Sequence, residues 1–444
     1  MTAVQGSALD DPIPRRQIGA QIPLTAMQLH LWGARHDIRS CVGRRMCSAV
    51  CVISGSLNIG LLRSSVDAVV ARHESLRTTI LENDGRPLQR VRDPCIGETA
   101  LQESTCLARD GSDLDDAARS FASSFTQQCV DPITGPLFKA SVASISKNEH
   151  ILVLAADHLI SDGSSLSLIY DEVWTYYFSV IEGRQPSLPD LPIQYGDYAV
   201  WQQQTYEAWL CRHGAYWRQR LAGAPHIQLP VEGAAAGADM SDYVQTHYEL
   251  GEEISEGLRG VAKRAKLPLP LVVLAVYILT ASRWREQDDL VLTFVSNARY
   301  RPQVRGMVGY LASQVYLRVQ LRESATFLDL VRQVAREFYG ALSHEAFDRV
   351  IDILPEWRSP GTQLHFNWLP AFPMQRDVRS TRTLSVRSVP FLTTWPADFL
   401  PWFGEYDGGV HLIVCHLPRR ISVAAVEDLV ELLRRVARES ISCF

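Results

Sequence analysis

The chain reads as an α/β (α+β) protein built from two related lobes. Its 444 residues exceed one ordinary core and favour two or three domains. Apolar spacing alternates between strand and helix periods along the chain, and a strand–helix–strand order recurs loosely in both halves. Proline- and glycine-rich stretches at 185–192 and 223–242 punctuate the middle. The first places a domain boundary at 190/191, giving lobes 1–190 and 191–444. The second is the clearest linker composition.

The elements follow in order. Residues 24–32 open a helix with Thr25 as N-cap. Residues 47–54 have strand composition. Residues 57–73 carry Leu61, Leu62, Val66, Val69 and Val70 at helical spacing. Strands at 76–81 and 88–91 flank the Asn83-Asp84-Gly85 turn as a hairpin. A second hairpin joins 137–146 to 150–156. A helix over 165–178 shows one apolar stripe of Leu166, Ile169, Tyr170, Val173, Trp174 and Tyr177. Residues 195–221 are aromatic and helical. Beyond the linker come a strand (244–250), helices (254–266 and 271–283) and a strand (289–296). A strand (409–416) and a helix (423–439) close the chain.

With 46% hydrophobic and 21% charged residues, the chain is globular in composition. A net charge of -5 argues against a nucleic-acid partner. Local basic clusters at Arg44-Arg45 and over 299–305 read as solvated surface or as contacts for an acidic partner. Nine cysteines form no CxxC pair, which suits reduced thiols in a cytosol. Residues 1–22 show no leader pattern, and the longest apolar stretch, 267–281, is too short to span a bilayer. The expectation is a cytoplasmic protein with no membrane anchor.

Chemistry concentrates at Asp157-His158-Leu159-Ile160-Ser161-Asp162-Gly163. An imidazole sits where a buried strand ends, which suits a general base aimed into a cleft. Neighbours on a strand face opposite sides, so Asp157 should face away from His158. Asp162 is then free to hold the loop and, if buried, needs a cation. Of Arg72 and Arg77, the latter, at a strand start, is the expected partner. Gly163 should permit a backbone geometry that a side chain would block. Asp157, His158 and Asp162 could in principle hold a metal, but adjacent residues leaving a strand diverge and no second histidine has ligand spacing. The chain has no phosphate-binding loop, nucleophile elbow or dinucleotide fingerprint.

These residues resemble the HHxxxDG motif of the condensation domains of nonribosomal peptide synthetases, in the chloramphenicol-acetyltransferase-like superfamily. Five further segments resemble that family's signatures in order. They are Leu24-Thr25-Ala26-Met27-Gln28-Leu29-His30-Leu31-Trp32, Arg72-His73-Glu74-Ser75-Leu76-Arg77-Thr78, Ile193-Gln194-Tyr195-Gly196-Asp197-Tyr198-Ala199-Val200-Trp201, the run from Val308-Gly309-Tyr310 to Arg318, and His365-Phe366-Asn367. The resemblance implies two chloramphenicol-acetyltransferase-like lobes forming a V-shaped pseudo-dimer with a central tunnel. It implies catalysis by His158, with Asp162, Gly163, Arg77 and Asp157 as structural motif residues. Ser164, Ser313, Gln314 and Asn367 are expected to line the tunnel.

No bound cofactor or metal is expected. The resemblance implies a donor acyl group on the phosphopantetheine arm of a peptidyl or acyl carrier protein, and a small-molecule amine or alcohol as acceptor. The chain reads as a free-standing condensation enzyme of antibiotic-type secondary metabolism, with a monomer expected.

The chain departs from the family pattern at Asp157 (first motif histidine), Ser164 (usual aromatic), Ser313-Gln314 (usual Asn-Thr) and a shortened His344-Glu345-Ala346-Phe347-Asp348 loop. Two alternatives stay open: an inactive condensation-like module that recruits another enzyme to a carrier protein, and a coenzyme A-dependent acyltransferase.

Overall fold

The computed structural model describes residues 11–37, 46–94, 100–105, 113–128, 130–227, 229, 242–321, 326–344, 350–354, 357, 364–369, 379–381, 383–391 and 397–443. Arg44-Arg45, residues 230–241 of the linker and residues 345–348 of the shortened loop lie outside them.

The chain forms two compact units, and no single cut separates them. One unit comprises Met1–Ala208, Asn297–Ala312 and Pro373–Thr393; the other comprises Trp209–Ser296, Ser313–Phe372 and Thr394–Phe444. The single boundary expected at 190/191 thus becomes a change at 208/209 with two returns of the chain to the first unit.

The first unit holds a six-stranded sheet in the order Arg379–Ser380, Leu384–Ser388, Met46–Gly55, Glu149–Asp157, Phe138–Ser144, Leu101–Thr105. Neighbours run antiparallel except the last pair, which is parallel. Residues Ile151 to Ala156 of the second central strand are fully buried, which explains their unbroken apolar run. The helices Ile59–Arg72, Leu114–Thr126 and Gly163–Ile181 pack with this sheet. Trp174 and Tyr177 of the last are fully buried. A small sheet adds Ile22–Pro23, Arg86–Val91 and Thr78–Asn83. Its hairpin turns on Asp84 and Gly85, both at positive φ, as the Asp-Gly sequence favours.

The second unit also holds a six-stranded mixed sheet, ordered Ser313–Gln320, Asp289–Ser296, Leu364–Leu369, Phe399–Tyr406, Gly409–His416, Val244–Glu249. The helices Glu252–Ala265, Leu269–Arg285, Phe327–Leu342 and Val423–Ser442 pack among themselves and on it. Leu269–Arg285 is buried over most of its length, so its apolar character serves the core. No single described helix is long and apolar enough to cross a membrane.

Most expected elements form within a residue or two. Thr25 precedes the Ala26–Asp37 helix, and its hydroxyl accepts from Gln28 N–H. Two differences matter. The expected strand at 76–81 begins with a 3-10 turn, Glu74–Arg77, and the strand starts at Thr78. The 195–221 helix is two helices, Tyr195–Gln204 and Tyr206–Leu221, broken at Thr205.

The strand Leu384–Ser388 is the least foreseeable element. It comes from late in the chain and pairs along Cys51–Gly55 of the first unit's sheet. Val386 is fully buried there opposite Ile53. Val386→Pro removes the N–H that faces Arg379 and sets a proline ring in a fully buried strand position packed beside Ile53, so it should destabilise the first unit. Hydrogen exchange at Cys51–Gly55 should rise accordingly; unchanged protection would contradict this pairing.

Candidate functional site

The motif loop begins where the Glu149–Asp157 strand ends. Asp157 is fully buried, and its Oδ1 accepts from Leu159 N–H at 2.8 Å. Its carbonyl accepts from Ile160 N–H at 3.0 Å, closing the turn that carries His158. Leu159 and Ile160 are fully buried and anchor this turn in the core. Asp157 therefore shapes the loop, a task independent of a second motif imidazole.

Asp162 is the N-cap of the Gly163–Ile181 helix, with Oδ1 accepting from Ser165 N–H at 2.7 Å. The same carboxylate takes both arms of Arg299: Nη2 donates to Oδ1 at 3.0 Å and Nη1 to Oδ2 at 2.9 Å. Leu311 and Ala312 N–H each donate to Oδ2 at 3.0 Å. Both partners are almost wholly buried. Burial alone would push the Asp162 carboxyl up. The Arg299 charge and the hydrogen bonds from Arg299 and Ser165 outweigh it and hold the pKa below the ordinary aspartate value.

The expected Asp162–Arg77 pair does not form. The Arg77 guanidinium donates to the carbonyls of Val70, Ala71 and Arg92. It thus closes the carboxyl end of the Ile59–Arg72 helix, where exposed carbonyls favour a cation. The partner of Asp162 comes instead from the 299–305 cluster, which the sequence left as solvated surface or contacts for an acidic partner. Arg301 of that cluster lies 4.9 Å over the Trp201 ring and donates to the Asp11 carbonyl.

Gly163 also departs from expectation. It opens the helix without positive φ, and a Cβ there would meet nothing within 4 Å. Beside the motif loop, Gly309 is a glycine with a steric reason: a Cβ there would lie 2.1 Å from the Tyr195 ring.

Four of the five other quoted segments converge on the same place; His365-Phe366-Asn367 lies in a strand of the second unit. Gln28 Nε2 donates to the Leu159 carbonyl at 2.6 Å, holding the motif turn from the Ala26–Asp37 helix. Ser75 Oγ donates to Val308 O at 2.6 Å. Tyr195 Oη donates to Tyr310 O at 2.8 Å and also bonds Thr25 Oγ1. Ser165 Oγ donates to Gly309 O and accepts from Gly309 N–H and Arg299 Nη2. His73 and Arg72 bond Glu172, tying one helix end to the motif helix. Residues 307–312 are therefore pinned from four directions beside the motif loop.

His158 is half-buried at the centre of this frame. Its Nε2 lies 2.8 Å from Cys47 Sγ, and its ring centroid lies 5.3 Å from that of Tyr310. Burial pushes the Cys47 thiol well above its ordinary pKa, and the Asp162 and Asp157 charges add to the shift. Cys47 and Tyr310 were not foreseen as site residues. The cysteine's position opposite Ala156 in the sheet is what brings it to the histidine.

Of the residues expected to line a tunnel, Ser164 is half-buried in the first turn of the motif helix. Ser313, Gln314 and Asn367 belong to the second unit. Ser313 is buried opposite Ser296, Gln314 lies opposite Val295, and Asn367 Nδ2 donates to Pro401 O at 3.4 Å. Among the described residues no group of acidic, histidine and cysteine side chains could hold a metal.

A strand-end imidazole thus stands beside a buried, arginine-locked aspartate. Residues 20–391 match the sequence profile of the Condensation domain family, and the chain belongs to that family. Its relatives include much longer synthases and synthetases. Chondramide synthase cmdD of Chondromyces crocatus is 26% identical over 87% of this chain and 10% of its own length. Phosphinothricin tripeptide synthetase PhsC of Streptomyces viridochromogenes is 29% identical over 80% of this chain and 33% of its own. The chain thus spans a third or less of each of these two relatives.

Solved structures share the fold. The X-domain from teicoplanin biosynthesis superposes with a TM-score of 0.82 at 20% identity, covering 97% of both chains. The first condensation domain of the calcium-dependent antibiotic synthetase, in complex with a substrate analogue, gives 0.78 at 19% identity over 96% of this chain and 98% of that one.

Three outcomes follow from this geometry. Arg299→Ala leaves a buried carboxylate without its cation and should cost about 3–5 kcal/mol. Because the folded pKa of Asp162 is depressed, its contribution is present above the unfolded value near about 3.9 and is lost as pH falls through the folded value. Asp162→Asn should remove that part of the acid-unfolding profile. An unchanged profile, followed by circular dichroism, would contradict the assignment. Separately, Cys47 should react with iodoacetamide more slowly than the exposed Cys211 and Cys443. Peptide mass spectrometry would reveal the reverse order if its thiol were activated.

Proposed function

We propose that this condensation domain transfers an acyl or aminoacyl group from a carrier-protein thioester to an amine or alcohol, with His158 as the base. The carrying observation is the position of Nε2. The imidazole stands on a turn held by Asp157, Gln28 and the Asp162–Arg299 pair, and Nε2 contacts the thiol of Cys47. A base so placed needs little reorganisation to accept a proton.

The chemistry asks little more of the protein. A thioester is already activated, so bringing donor and acceptor together can supply on the order of 7–11 kcal/mol. A general base adds a factor of about 10²–10⁴. An alcohol depends on the base most, because it is a poor nucleophile while protonated. A neutral amine depends on it less, since it can attack first and lose its proton late. The phosphopantetheine arm belongs to the carrier partner, so the domain itself requires no cofactor for this reaction.

A second reading is a recruiting module. It is favoured by Asp157 in place of the first motif histidine and by the solved complex of the teicoplanin X-domain with OxyB, whose X-domain shares this fold with a TM-score of 0.79. Against it, His158 lies half-buried with its reactive nitrogen beside a neutral thiol, a placement that recruitment does not require.

The deciding experiment offers acyl-carrier-protein and acyl-CoA donors with a panel of amines and alcohols and follows product by mass. Product from the carrier donor is expected. Product from CoA alone would replace the carrier with a soluble donor, and no product from either would favour recruitment. His158→Ala should abolish ester formation while leaving measurable amide formation. Equal residual rates for both acceptors would refute the proton-transfer role.

A further inference from the structure

Cys47 touches the working nitrogen of His158, and the proposed reaction leaves it without a task. It is the second residue of the Met46–Gly55 strand, antiparallel to the strand that ends in Asp157, with Ala156 as its Cα partner. The pairing register therefore sets its thiol beside the motif turn, and the Sγ···Nε2 distance of 2.8 Å is a hydrogen bond.

The direction of that bond decides what it does. A hydrogen bond between these atoms needs the proton on sulfur or on nitrogen. The thiol lies in a partly buried place with the Asp157 and Asp162 carboxylates nearby, and both oppose a thiolate. Burial is the larger of these causes. The sulfur therefore keeps its proton and has one to donate. When it donates, Nε2 accepts, and in a neutral imidazole this requires the ring proton on Nδ1.

We propose that Cys47 is a positioning residue for His158: its S–H selects the tautomer in which Nε2 is the base and marks the place the acceptor's O–H or N–H must occupy. This rests on the acyl-transfer reading of His158. A thiol suits the task because it is a weak donor. It orients the ring while the site is empty and yields to the stronger donor of an arriving alcohol or amine. A carboxylate at this place would instead hold an imidazolium, which is no base. The same proximity would suit a cysteine nucleophile, but that chemistry needs the thiolate that the two aspartates disfavour.

The test reads the imidazole directly. The full chain is labelled with 15N-histidine, and long-range proton–nitrogen correlations are recorded at a pH well above the imidazole titration. His158→Gln identifies the signals of His158 by their loss. The expected wild-type pattern is a protonated Nδ1 and a bare Nε2. Cys47→Ala should shift both nitrogens toward a mixture of tautomers, and Cys47→Ser, which restores an O–H donor, should return the pattern. In acyl transfer to an alcohol, Cys47→Ala should lower kcat about 2- to 10-fold, the range of one neutral hydrogen bond, with the donor KM unchanged and kcat recovered by Cys47→Ser.

A protonated Nε2 in the wild type overturns the proposal, as does an unchanged pattern in Cys47→Ala. An acyl adduct on Cys47, seen by intact mass after incubation with donor alone, overturns it in favour of a nucleophile. The wild-type spectrum needs no turnover and no variant that must fold. It therefore decides the tautomer even if the acyl-transfer reading fails.

Discussion

The buried pair between Asp162 and Arg299 is the constraint on which the first unit's site depends. A carboxylate taken out of water costs several kcal/mol unless its oxygens are satisfied. Here two guanidinium arms and three backbone N–H groups satisfy them. Such a pair adds little net stability compared with an apolar replacement, but either partner alone is costly. Its effect is geometric. The start of the motif helix, the loop after the Asp289–Ser296 strand and the backbone of Leu311 and Ala312 can meet in one arrangement.

This accounts for segments far apart in the chain that serve one end. Gln28 holds the motif turn by the Leu159 carbonyl, while Ser75, Ser165 and Tyr195 hold successive carbonyls from Val308 to Tyr310. Each bond alone is worth about 1 kcal/mol. Together they remove the freedom of a loop that would otherwise carry Tyr310 away from His158. Gly309 is small because the Tyr195 ring occupies the space of a side chain. Four of the family-like segments thus have a physical reading in this chain: they pin the motif turn and the backbone of 308–310 beside it.

In the proposed reaction, His158 can serve as a base only insofar as this frame presents Nε2 uncharged. Asp157, standing where the family pattern has a histidine, contributes from below by closing the turn through Leu159 N–H. Cys47 contributes from the neighbouring strand. The chemistry of the site is therefore divided between the motif, which places the ring, and the sheet register, which decides what the ring meets.

The strand that ends at Asp157, the turn bearing His158 and the helix capped by Asp162 were all legible from the amino-acid order. Their signals are local: an unbroken apolar run and a stripe at helical period act within a few residues, whereas the capping role of Asp162 emerged only with the structure. The partner of Asp162 was not legible. Arg77 ends a short 3-10 turn and Arg299 lies in a loop, and only the packed chain shows that the first closes a helix while the second crosses 137 positions to the motif. The same holds for Cys47, one of nine cysteines without a spacing pattern, and for the strand Leu384–Ser388, which returns to a sheet begun more than three hundred residues earlier. Short-range patterns choose strand, turn and helix because backbone and neighbouring side chains suffice for that choice. Which charge meets which is decided by long-range pairing and the exclusion of water, and these exist only once the units have folded.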